Sequence, residues 1–163
     1  MFRPDAEAST PHDDALRLLA RREYARAELE SRLAARGHEA AAVGACLDAL
    51  AEAGLQSDAR FAENFGRSRV ARGQGPLKIR AELERRGIDR ERVRTALEAL
   101  AEEDGVDWFA LAGDTLARRF AGPGASPRER ARRERFLAGR GFDSDQVRHA
   151  LEHAWDEDSP SVP

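Results

Sequence analysis

With one cysteine, Cys46, in 163 residues, the chain can form no disulfide within itself. No run approaches the ~18 apolar residues that a membrane-spanning helix requires, and the opening Met1-Phe2-Arg3-Pro4 has none of the apolar core of a signal peptide. These absences predict a soluble, cytoplasmic protein that makes no contact with membranes. β-branched residues never gather into a run, and only 6% of residues are aromatic, so there is little from which to build a sheet. Catalysis is equally short of parts. The four histidines do not complete a nucleophile, base and orienting group with any Ser or Cys. Gly73-Gln74-Gly75 could cradle a phosphate only behind a strand and with a Walker lysine pattern, and neither is present. His149 and His153 share a helical face at i and i+4, but nothing nearby completes a metal site, and an exposed helix end is the expectation. No enzyme, cofactor or metal is predicted.

What is abundant is Ala, Leu, Arg and Glu, the composition of helices with solvated faces. A short pattern also recurs three times, as Leu33-Ala34-Ala35-Arg36-Gly37, Leu83-Glu84-Arg85-Arg86-Gly87 and Leu137-Ala138-Gly139-Arg140-Gly141. Six residues beyond each glycine stands Val43, Val93 or Val147, and four further on Leu47, Leu97 or Leu151, with Cys46, Ala96 and Ala150 between them. The spacing i, i+3, i+4, i+7 buries one face of a helix in each case. Cys46 on that stripe is expected to act as a small hydrophobe. A period of about fifty residues marks tandem modules that lean on one another.

The resulting expectation is an all-α fold of three tandem three-helix repeats in an elongated array, at 13–55, 56–104 and 105–155, between a disordered tail at 1–12 and a disordered acidic tail at 156–163. Gly37, Gly87 and Gly141 suit the left-handed position that stops a helix. Ser57 or Asp58, Asp89, and Asp143 or Ser144 can cap the following helices, while Gly75-Pro76 and Ser126-Pro127 place proline in a first turn. Phe61, Phe65, Trp108 and Phe109 are expected in the core.

The formal net charge of −3 conceals alternating blocks. Residues 60–94 carry eleven bases against five acids, 95–116 six acids and no base, and 117–148 nine bases against four acids. Such blocks favour distinct faces for a charged partner. The candidate partner interface is Arg67, Arg69, Arg72, Lys78, Arg80, Arg85 and Arg86 around the Gly73–Pro76 loop. Arg128, Arg130 and Arg132 form a second basic run that continues to Arg133 and Arg135. Arg133 stands where the other repeats have Leu29 and Ile79, which predicts looser packing in the third module.

Ser57-Asp58-Ala59-Arg60-Phe61-Ala62, then Arg72-Gly73-Gln74-Gly75-Pro76-Leu77-Lys78-Ile79-Arg80-Ala81-Glu82-Leu83, then Gly87-Ile88 and Ala96-Leu97 together resemble the RecX family of bacterial regulators of the RecA recombinase. The likeness is densest over 57–100 and extends across about 13–155. It implies an all-helical protein of tandem three-helix repeats that binds RecA filaments and restrains ATP hydrolysis, strand exchange and assisted self-cleavage of the SOS repressor. A non-enzymatic monomer with weak contact with DNA is the accompanying expectation. From the residues alone, a DNA-binding helical module acting without RecA and a helical adaptor remain open.

Overall fold

A computed structural model of the chain describes residues 8–157. Among them are nine helices and no strand: α1 (Pro11–Leu19), α2 (Arg26–Ala35), α3 (Ala40–Glu52), α4 (Asp58–Ala71), α5 (Pro76–Arg85), α6 (Arg90–Glu102), α7 (Trp108–Arg119), α8 (Pro127–Gly139) and α9 (Ser144–His153). Helix α1 begins inside the stretch read as a tail. Thr10 takes an extended conformation and accepts from the Asp13 N–H, and Pro11 supplies a first-turn residue that needs no donor, so the helix starts there. The acidic tail from 158 onward lies outside the described residues.

Local chemistry sets the other boundaries. Asp89 accepts from Arg92 N at the start of α6, and Asp143 and Gln146 form a reciprocal capping box at the start of α9. Ser126 and Glu129 do the same for α8, with Pro127 in its first turn. At α4 the cap is Ser57, whose Oγ accepts from Arg60 N at 3.2 Å. Asp58 is directed elsewhere, accepting from Arg26 N at 2.9 Å and from Gln56 Nε2 at 3.0 Å.

The chain divides into two compact units. One runs through Phe61 and takes in Arg86–Ile88; the other takes Ala62–Arg85 and Asp89 onward. In the first unit, Ala15, Leu18, Tyr24, Leu29, Leu33, Val43, Leu47 and Leu50 form one buried cluster, with Cys46 packed against it. Burial pushes the Cys46 thiol pKa up, consistent with a small hydrophobe. Arg60 grips Glu23 with two nitrogens, at 2.6 and 3.2 Å, and donates to the carbonyls of Gly54 and Leu55. The Ser57–Arg60 stretch is therefore a structural clasp.

Asp14 is 2% exposed and densely partnered. Ser9 Oγ donates to it at 2.7 Å, His38 Nε2 lies at 2.6 Å and Arg36 donates at 2.9 Å. These partners, the Ser9 hydrogen bond foremost, hold its pKa at about 2 against the opposing effect of burial. A carboxylate with a depressed native pKa lends stability that is complete above its unfolded pKa and lost as pH falls through the native one. Melting temperature should therefore fall between about pH 4 and pH 2, and Asp14→Asn should flatten that acid limb. Parallel pH–melting profiles for parent and variant would contradict this.

In the second unit, Leu111, Ala112, Leu116, Leu137, Phe142, Val147 and Ala150 form a core against which Val70, Trp108, Phe120, Phe136 and Trp155 pack. Trp155 Nε1 donates to the Phe120 carbonyl at 3.0 Å and so fastens the end of α7. Arg133 does not loosen α8 as its sequence position predicts. Its Nε donates to Gly122 O at 2.8 Å, its Nη1 to Glu129 O at 2.9 Å, and its guanidinium lies 4.4 Å from the Phe120 ring centre. The arginine ties down the lengthened 120–126 connection, and Leu137 one turn on is 0% exposed.

Candidate interface: an arginine-lined cleft beside the Gly73 turn

The Gly73–Pro76 loop follows α4 and is seated on two other elements of the second unit. A Cβ added to Gly73 would lie 2.9 Å from Thr115 Oγ1 on α7. Gly75 N donates to Arg140 O at 2.8 Å and Leu77 N to Gly141 O at 2.9 Å, so the start of α5 is hydrogen-bonded to the turn after α8. The glycines are what permit this approach. A Cβ on Gly75 would meet Gly141 O at 2.5 Å, and one on Gly141, whose φ is +94°, would meet Lys78 N at 2.5 Å.

The same docking occurs in the first unit, where a Cβ on Gly87 would come within 2.5 Å of Ala27 on α2. There Arg86 Nε lies 3.7 Å from Glu28 Oε1. Counting back from the repeated glycines, Lys78 holds the place of Glu28. Arg140, the counterpart of Arg86, thus meets a cation's register where Arg86 meets a carboxylate.

Beside this joint, Ala71, Arg72, Gly73, Thr115, Arg118, Arg119, Phe136 and Arg140 line an open cleft of about 270 Å³. Arg119 lies 4.9 Å from the Phe120 ring centre and Arg140 5.2 Å from that of Phe136. Arg118 reaches Asp114 only at 3.8 Å. Among the described residues, no carboxylate pairs with Arg72, Arg119 or Arg140.

The ten expected interface residues separate into groups. Arg72, Arg80 and Arg85 are exposed, and Lys78 is half-buried at the joint. Lys78 and Arg85, seven apart, share a face of α5, from which Arg80 turns away. Arg67 is exposed but engaged: its Nε donates to Asp104 Oδ2 at 2.9 Å and its Nη1 to Asn64 Oδ1 at 3.2 Å. Arg69 is turned inward, 3.3 Å from Glu82 and stacked 4.5 Å from the Phe65 ring centre. Arg86 is committed to Glu28. On α8, Arg128, Arg130 and Arg132 are all exposed, with Arg128 and Arg132 one turn apart on one face and Arg130 on another.

Arg118, Arg119 and Arg140 escaped the sequence reading, although Arg140 belongs to the repeated Arg-Gly pair and all three lie in the basic 117–148 block. Phe109 also departs from expectation: it is 42% exposed, its ring edge-on to His149 at 5.3 Å. His149 in turn lies 4.6 Å from His153, which pairs with Asp156. No group of three or more metal-ligating side chains is found among the described residues, and no helix there is long and apolar enough to cross a membrane.

Three RecX family models match in tandem: the first three-helix domain over residues 12–50, the second over 57–97 and the third over 106–151. A protein named Regulatory protein RecX from Chromohalobacter salexigens is 62% identical over 150 residues, covering 92% of this chain and 96% of its own. The protein of that name from Halorhodospira halophila is 47% identical, covering 100% and 99%. The crystal structure of RecX from Lactobacillus salivarius superposes with a TM-score of 0.73 at 21% identity, covering 88% of this chain and 94% of that one, a likeness of fold. Three consecutive repeats, each matched by its own domain and all spanned by relatives of nearly equal length, make this chain a member of the RecX family.

Proposed function

We propose that the protein binds RecA filaments and restrains their ATP hydrolysis, strand exchange and assisted cleavage of the SOS repressor, without chemistry of its own. The observation that carries this reading is the 62% identity to a named regulatory protein across 92% of the chain. The surface chemistry is in keeping with it. Arg72, Arg80 and Arg85 stand exposed on and around α5, and Leu77 in its first turn is 45% exposed, an apolar group in a basic segment. Charged surroundings steer encounter and an apolar centre slows release. Engagement through more than one repeat would raise affinity for a polymer above that for a free subunit.

The test is RecA ATPase on single-stranded DNA with and without the protein. Inhibition is expected, weakening with added salt because exposed charges are screened over about 8–10 Å. A triple reversal of Arg72, Lys78 and Arg80 to Glu should raise the concentration needed for half-inhibition about tenfold or more while the melting temperature stays near that of the parent. Arg67 is left out of this set because reversing it would set a new acid beside Glu63 and Asp104 and confound stability with binding. An uninhibited ATPase at saturating protein would end the RecA reading. An unchanged half-inhibition in the folded triple variant would move the interface to the Arg128–Arg132 face.

A further inference from the structure

We infer that the cleft beside the Gly73 turn is a phosphate-binding site, formed by Arg72, Arg119 and Arg140 with Arg118 at its rim. The inference stands apart from the RecA reading, since it concerns direct binding of an anion by this chain alone.

Four guanidinium groups from three separate elements line one cleft, and like charges so gathered repel one another unless an anion neutralises them. Elsewhere the protein supplies that anion itself. Arg26 reaches Asp48 at 2.7 Å, Arg60 grips Glu23, Arg67 pairs with Asp104, and Arg86 faces Glu28 at the equivalent joint. Here the register that holds Glu28 in the first repeat holds Lys78, and among the described residues the carboxylate nearest the cleft's arginines is Asp114, which pairs with Arg118 at 3.8 Å and not with Arg72, Arg119 or Arg140. The joint is built in the same way and differs in charge.

The arginines are also held in place. Arg119 and Arg140 each lie against an aromatic ring, and those rings, Phe120 and Phe136, pack edge to face at 5.5 Å. A guanidinium backed by a ring keeps its plane and directs its donors outward. The Arg140 carbonyl accepts from Gly75 N at 2.8 Å, and Thr115 Oγ1 lies 3.5 Å from the Gly73 carbonyl.

Geometry distinguishes phosphate from carboxylate. A carboxylate has two oxygens in one plane and is satisfied by a single guanidinium fork, whereas the oxygens of a phosphate are tetrahedral and can be met from several sides at once. Donors converging from the 72–73 turn, α7 and α8 suit the second shape. The cleft, about 270 Å³ and open to solvent, has room for a phosphate group among its arginines. That phosphate can belong to a nucleic-acid backbone or to a free oligophosphate.

The test is titration of the full chain with inorganic tripolyphosphate, with a single-stranded oligodeoxythymidine and with polyglutamate, followed by calorimetry and by amide shifts of Arg72, Gly73, Arg119 and Arg140. Tripolyphosphate should bind and move those amides, and R119E/R140E should weaken it by about tenfold or more with its melting temperature retained. R80E/R85E, away from the cleft, should change it less than about twofold. If the oligonucleotide displaces tripolyphosphate, the natural source is a nucleic-acid backbone; if it does not, the source is a free oligophosphate, and either result supports the site. The inference is overturned if tripolyphosphate fails to bind, binds equally to R119E/R140E, or is matched at the same amides by polyglutamate. Should R119E/R140E fold poorly, R72E provides the same comparison without touching either ring contact.

Discussion

Replacing Gly141 by alanine is expected to lower the melting temperature far more than the same replacement at Gly37. Both glycines close the middle helix of a repeat, and both have positive φ, 94° and 88°. The left-handed conformation alone costs an L-residue roughly 1–2 kcal/mol. For a chain of this size that corresponds to a loss of about 2–8 °C. Gly37 should show only this penalty, because a Cβ there would have nothing within 4 Å. At Gly141 the new Cβ would also strike the Lys78 backbone at 2.5 Å, and backbone in a helix start cannot swing aside as a side-chain tip can. The Gly141→Ala loss should be at least twice that of Gly37→Ala in paired melts. Equal losses would show that the joint between the α8 turn and α5 yields easily.

Leu137→Ala is expected to cost as much as Leu83→Ala, within the ~2–5 kcal/mol usual for a buried leucine. The sequence argued for a smaller loss at Leu137, since Arg133 interrupts the apolar stripe of α8. The structure removes that argument. Leu83 and Leu137 are both 0% exposed, and Leu137 is enclosed with Leu116, Phe142 and Val147. Arg133 contributes through its carbonyl bonds and its ring contact, so the cavity left at Leu137 has little freedom to collapse. Urea melts of the two variants would decide, and a loss at Leu137 well under half that at Leu83 would restore the looser picture.

The repeat was legible because its signals are local. A stripe at helical spacing, a glycine at the stop and an Asp or Ser at the next start all act within one turn or two, and each was found at its expected place. The Ser57 cap and the capping boxes at Ser126 and Asp143 belong to the same class. What escaped depends on partners distant in sequence. Arg67 and Arg69 read as interface residues in a basic run, but Asp104 and Glu82 engage them, and Asp104 in particular is brought in by the fold from 37 residues on. Asp14 carried no signal along the chain, because Arg36 and His38, which close over it with Ser9, lie more than twenty residues on. Arg118 and Arg119 lie more than forty residues from Arg72, and no pattern along the chain joins them. Charge blocks identify which segments are basic; only packing determines which of their arginines remain unpaired.

The bonds from Gly75 and Leu77 to the Arg140–Gly141 turn have one more consequence, which concerns time. These two amides lie at the first turn of a helix, where N–H groups have no partner within the helix and ordinarily exchange with solvent almost freely. Here their acceptors belong to the third repeat, so deuterium can enter only when the second and third repeats separate at that seam. Their exchange rates therefore form a built-in clock for opening of the joint, and a ligand that bridges Arg72 and Arg140 would slow both amides together.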